Sequence, residues 1–143
     1  MQQLFINFDF RSDFKHLSAR ERRQFGNFLY VEGLLEIKIN GVTYFYEEAC
    51  PLLEFYLQLE KWLKKPFSKR GDFLYHTLEL DEEEPFLAVL HFQDLARLRV
   101  IWPEAELYNV FPVGYLHKKL EELRDRLGPA IEQHYQLKLK HFH

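Results

Sequence analysis

The sequence predicts an α+β domain: a mostly antiparallel sheet of about five to seven strands, with a Trp-bearing helix and a C-terminal helix packed on it. Three observations predict it. Leu29, Val31, Gly33, Leu35, Ile37 and Ile39 alternate with a mixed set of neighbours and run into Asn40-Gly41, the pattern of a strand entering a tight hairpin. Leu52, Phe55, Tyr56, Leu59, Trp62 and Leu63 recur with helical spacing, as do Leu116, Leu120, Leu123 and Leu127. The other apolar alternations cluster with short connections, without the strand–helix–strand rhythm of a parallel sheet.

Taken in order, Leu4, Ile6, Phe8 and Phe10 occupy every second position and form a first strand. Ser18 and Glu21 have capping-box spacing and open a short polar helix. The Asn40-Gly41 turn supplies two positive φ angles, so counting outward sets Ile39 opposite Val42, Ile37 opposite Tyr44 and Leu35 opposite Tyr46. Gly33 marks a bulge or a close approach by another element. The Trp-bearing helix starts near Pro51, behind Glu47 and Glu48, which suit the positive end of its dipole. Glu54, Gln58, Lys61 and Lys65 form its polar side, and Pro66 stops it.

A basic loop from Lys64 to Arg70 leads into strands at Phe73–Leu80, Phe86–Phe92 and Leu95–Trp102. In the last of these, Leu98, Val100 and Trp102 face inward and Arg97 and Arg99 outward. Glu106 to Phe111 forms a short final strand. Gly128-Pro129 breaks the C-terminal helix, which restarts briefly with Ile131 and Tyr135, and residues 136–143 fray. No linker or repeat divides residues 1–143, so they are read as a single domain.

Composition narrows the function. Hydrophobic residues at 47% and charged residues at 29% are those of a globular chain, not a disordered one. The high aromatic content, 14 Phe and 8 Tyr, fills a core or furnishes a recognition surface. A net charge of -3 supplies no global field for nucleic acid. The first residues lack a basic start followed by an apolar block, and the longest uncharged stretch is too short to cross a bilayer. One cysteine, Cys50, forms no intrachain disulfide and favours a reducing compartment, so a cytoplasmic location is expected, with no membrane partner.

The chemistry-bearing residues assemble no motif. The six glycines and the serines Ser12, Ser18 and Ser68 lack the spacing of a phosphate loop or a nucleophile elbow. No cofactor, metal site or catalytic residue is expected. Cys50 precedes a helix, where a thiol can be activated, but Glu47 and Glu48 oppose that, and it reads as a small core residue. His16, His117, His134, His141 and His143 scatter over polar segments. His76 and His91 lie on strands expected to pair: one register sets them opposite on one face, and a register one residue shorter puts His76 opposite Leu90. Asp81, Glu82, Glu83 and Glu84 form an acidic hairpin tip, a solvated turn or a contact for a basic protein partner. Lys61, Lys64, Lys65, Lys69 and Arg70, interleaved with Phe67, read as a solvated helix end.

Val31-Glu32-Gly33, Asn40-Gly41, Glu54-Phe55 and Trp62 together resemble small uncharacterised bacterial proteins with a hairpin, a Trp-bearing helix and a second meander. More loosely, the size, charge and architecture resemble the immunity proteins that neutralise bacterial toxins. The first likeness spans Phe28 to Trp102 and rests on scaffold residues, so it carries no functional position over. Negative charge, abundant Tyr and Phe and the lack of a catalytic constellation favour a non-catalytic protein-binding module, and the looser likeness implies one of the bacterial immunity type. The alternative is an enzyme or small-ligand binder with a pocket between sheet and helix, using His76 and His91.

Overall fold

The computed structural model describes residues 2–12, 31–77, 83–136 and 138–142. Its order is β1 (Leu4–Phe10), β2 (Glu32–Ile39), β3 (Val42–Pro51), α1 (Leu52–Leu63), β4 (Phe73–Tyr75), β5 (Leu87–Phe92), β6 (Leu95–Val100), β7 (Val110–Pro112) and α2 (Val113–Tyr135). This is the expected α+β class. All the described strand pairs are antiparallel, and they form two sheets, β1-β2-β3 and β4-β5-β6-β7. The capping-box helix at Ser18 and the strand start at Leu29 lie outside the described residues.

The Asn40-Gly41 turn forms as its chemistry requires, with φ of 51° and 79° and Ile39 opposite Val42. Beyond it the expected register fails. Tyr44 is an extra residue on β3, so Ile37 faces Phe45 and Leu35 faces Glu47. The bulge turns Tyr44 and Phe45, adjacent in sequence, both into the interior. Tyr44 donates its hydroxyl to Leu98 O (3.0 Å) across the gap between the sheets, and Phe45 meets Phe86 edge-on at 5.4 Å. The bulge thus joins one sheet to the other. Gly33 is a close approach and also borders a second register shift: a Cβ there would lie 2.3 Å from Asp9 O.

The helices form the layer that covers both sheets. In α1 the stripe from Leu52 to Leu63 is buried as expected. Pro51 closes β3 rather than opening the helix, and the Leu52 amide finds Val31 O at 2.8 Å. Glu54, assigned to the polar side, is buried, because Tyr75 on β4 donates a hydrogen bond to its Oε1 at 2.7 Å.

Gly128-Pro129 does not break α2, which runs unbroken for 23 residues. A helix-interior proline costs about 3 kcal/mol. Extending the buried stripe to Ile131 and Tyr135 offsets that, at about 1.5–3 kcal/mol for each such side chain. The tail is also held: Leu139 is buried and its amide donates to Glu132 Oε2 at 3.0 Å. The outer edge of β1 is closed by α2. Tyr115 Oη accepts the Leu4 amide (2.9 Å), and Arg126 Nη2 donates to Ile6 O (2.8 Å). Trp102, expected inward, is half exposed, because β6 ends at Val100 and the chain leaves the sheet.

Candidate functional site

Of the acidic run, Asp81 and Glu82 lie outside the described residues. Glu83 and Glu84 are exposed ahead of β5, and Glu84 pairs with Arg99 at 3.4 Å, both side chains more than half exposed. Cys50 is fully buried at the end of β3. His76 and His91 do not meet. β4 pairs with β5 through Phe73–Val89, which sets His91 beside Asp72 and leaves His76 exposed past the strand end. Of the basic residues, the four lysines are exposed, but Arg70 turns inward.

Arg70 turns inward because α1 ends without enough amides for its last carbonyls. Its guanidinium donates to Leu63 O (2.6 Å) and Lys65 O (2.9 Å), closing that end. It lies 5.7 Å from the Trp62 ring centroid and 5.9 Å from that of Phe67. Trp62 is buried as expected, with its indole N–H donating to Gly71 O at 3.0 Å. Arg70 Nη1 reaches across to α2, to Glu121 Oε1 (3.3 Å) and His117 Nδ1 (3.2 Å).

His117 is the centre of this cluster, and reading the sequence as a scatter of polar histidines missed it. The signal was present: His117 lies between Leu116 and Leu120, three residues before the latter, at the border of the apolar stripe. It is 2% exposed and packs on Trp62 (4.7 Å) and Phe67 (4.8 Å). Its Nε2 lies 2.8 Å from His91 Nε2. His91 Nδ1 lies 3.1 Å from Asp72 Oδ1, which also accepts the His91 amide at 2.8 Å.

The donors assign the protons. A guanidinium only donates, so His117 Nδ1 is an acceptor and its proton sits on Nε2. His91 Nε2 then accepts from His117, and His91 Nδ1–H donates to Asp72. Burial, His91 and Arg70 together push the His117 pKa down to about 4, so the ring is neutral at pH 7.

This tautomer also disfavours a metal. Binding through Nε2 would move the His117 proton to Nδ1, against Arg70. No group of three or more His, Cys, Asp or Glu is arranged to hold a metal ion among the described residues. A surface cleft of about 660 Å³ beside Phe5 is lined by Lys38, Tyr115 and Lys119, with no carboxylate or histidine to form an acid–base pair. No described helix is long and apolar enough to cross a membrane.

A second feature is the segment between β6 and β7. Trp102 is 52% exposed and Tyr108 67%. The backbone that carries them is tied down along its length. Ile101 N donates to Phe86 O (3.1 Å), Glu104 N to Tyr44 O (2.8 Å), and Gln2 Nε2 to Tyr108 O. Asn109 is buried and accepts from Arg97 (2.8 Å) while donating to Leu98 O (2.8 Å).

No curated protein and no solved structure matches the chain. Residues 6–133 match a family model described as "Domain of unknown function (DUF7878)".

Proposed function

We propose that this chain, which belongs to that family, is a non-catalytic protein-binding module that meets its partner through the segment between β6 and β7. One observation carries the reading: Trp102 and Tyr108 are both more than half exposed on backbone held by hydrogen bonds to Gln2 ahead of β1, to Tyr44 on β3 and to Phe86 ahead of β5. Large exposed rings on a fixed backbone suit the anchors of an interface, because little conformational freedom remains to be lost on binding. A core role explains neither ring.

The partner we assign is another protein with a basic surface, of the kind an immunity protein neutralises. The net charge of -3 and the exposed Glu83 and Glu84 support that sign of partner. The reading that pairs His76 with His91 in a ligand pocket loses its geometry, since His91 is engaged with His117 and Asp72.

The test is capture of a partner by the tagged chain from its native cell, followed by the Trp102→Ser/Tyr108→Ser variant. Loss of the captured protein with an unchanged melting temperature supports the proposal. Equal capture by the variant, or capture of nothing but further copies of the same chain, overturns it.

A further inference from the structure

The cluster between α1, β5 and α2 holds as many protons as its geometry accepts. His117 carries one, on Nε2, pointing at His91 Nε2 at 2.8 Å. His91 carries one, on Nδ1, pointing at Asp72 Oδ1 at 3.1 Å. The two remaining ring nitrogens are both acceptors, His91 Nε2 from His117 and His117 Nδ1 from Arg70 Nη1. A third proton on His91 Nε2 meets the N–H of His117 head-on. A third proton on His117 Nδ1 meets a guanidinium at 3.2 Å. Wherever it lands, one of these two contacts must break.

The charged groups set against the pair come from two of the sides that pack on it. The connection after α1 supplies Arg70 and Asp72, and α2 supplies Glu121, 3.3 Å from Arg70. α1 supplies only the uncharged Trp62 ring, and the turn at Phe67–Lys69 supplies the Phe67 ring. Arg70 cannot withdraw freely, because Nη2 and Nε hold the end of α1 through Leu63 O and Lys65 O. The contact with least to hold it is the one between the two rings.

We propose that His91 and His117 form a proton-operated latch between β5 and α2, closed at neutral pH and opened when the pair takes up a third proton. Opening separates His117 from His91 and loosens its packing on Trp62 and Phe67, while both sheets and helices persist. The depressed His117 pKa accords with this, since it records the resistance of the closed form to that proton. The latch makes the connection carrying Lys64, Lys65, Lys69 and Arg70 the part of the surface that responds to acid.

The experiment reads Trp62 alone, in a Trp102→Phe background that leaves it the sole tryptophan. Titration from pH 7.5 to 3, through the His117 pKa of about 4, is expected to give a one-proton transition in its emission, shifted to longer wavelength, with far-UV circular dichroism unchanged. Adding His117→Leu should abolish the transition. Emission that stays flat, or a transition that survives His117→Leu, overturns the latch. So does a transition that coincides with loss of far-UV signal, which marks whole-molecule unfolding instead. If the His117→Leu variant does not fold, the wild-type imidazole ¹⁵N spectrum decides. At pH 7.5, His117 is expected to carry its proton on Nε2, and that Nε2–H resonance should be lost through the same transition. A proton on Nδ1 at pH 7.5 refutes the proposal.

Discussion

Gly128 of α2 lies so close to Tyr56 of α1 that a Cβ at position 128 would sit 2.8 Å from the phenol oxygen and 2.9 Å from the ring. The glycine that reads locally as a helix breaker is where the two helices make close contact. Gly128→Ala should therefore destabilise the protein by about 1–3 kcal/mol through overpacking, although alanine is intrinsically the better helix former by about 1 kcal/mol. Urea unfolding gives the sign. A gain in stability would mean that the Tyr56 ring yields without cost.

Gly33 makes a harder contact, because the opposing atom is backbone. A Cβ there would meet Asp9 O at 2.3 Å and Leu52 Cδ1 at 2.8 Å. Gly33→Ala must push β1 from β2 or move the start of α1, and a loss of at least about 2–3 kcal/mol is expected. A midpoint close to wild type in the same titration would contradict so close an approach of β1 to β2.

The two tryptophans should separate cleanly. Trp62 is 5% exposed and donates to Gly71 O, so Trp62→Ala is expected to cost about 3–5 kcal/mol. Trp102 is half exposed, so Trp102→Ser should stay within about 0.5 kcal/mol of wild type. Thermal melts of the two variants side by side check both values. A large loss at Trp102 would assign that ring to the scaffold and remove the main support for an interface.

Stability should depend on pH through His117. Its pKa is lower in the folded protein, about 4, than the ordinary 6.5, so the folded state binds fewer protons than the unfolded chain between those values. This contribution is full above about pH 6.5 and is lost as pH falls toward 4, with a slope of at most about 1.4 kcal/mol per pH unit. Denaturant unfolding at several pH values measures the slope, and His117→Leu should flatten it. An identical slope in that variant would place the titration elsewhere.

Much of this fold is legible from neighbours in sequence. The Asn40-Gly41 turn, the inward faces of β1 and β2, the buried stripe of α1 and the close approach at Gly33 follow from two periods, one turn type and one missing Cβ. These properties belong to single elements, and local chemistry decides them. The α+β class and the antiparallel pairing follow too, because short connections leave the chain few other ways to cover its apolar faces.

What the sequence left open depends on which element arrives opposite. The extra residue at Tyr44 shifts every later pair of the hairpin, and it is satisfied by Leu98 in a different sheet. Glu54 is buried because Tyr75 comes to it from β4, and α2 continues past Pro129 because buried partners reward Ile131 and Tyr135. His91 was visible as a candidate and His76 was its expected partner, but the β4–β5 register removed one and the fold of α2 supplied the other. By itself the sequence determined the faces, since a side chain's direction within a helix or strand is set by backbone geometry alone. Only the tertiary structure decided the partners, since a hydrogen bond between residues 26 apart depends on how whole elements pack.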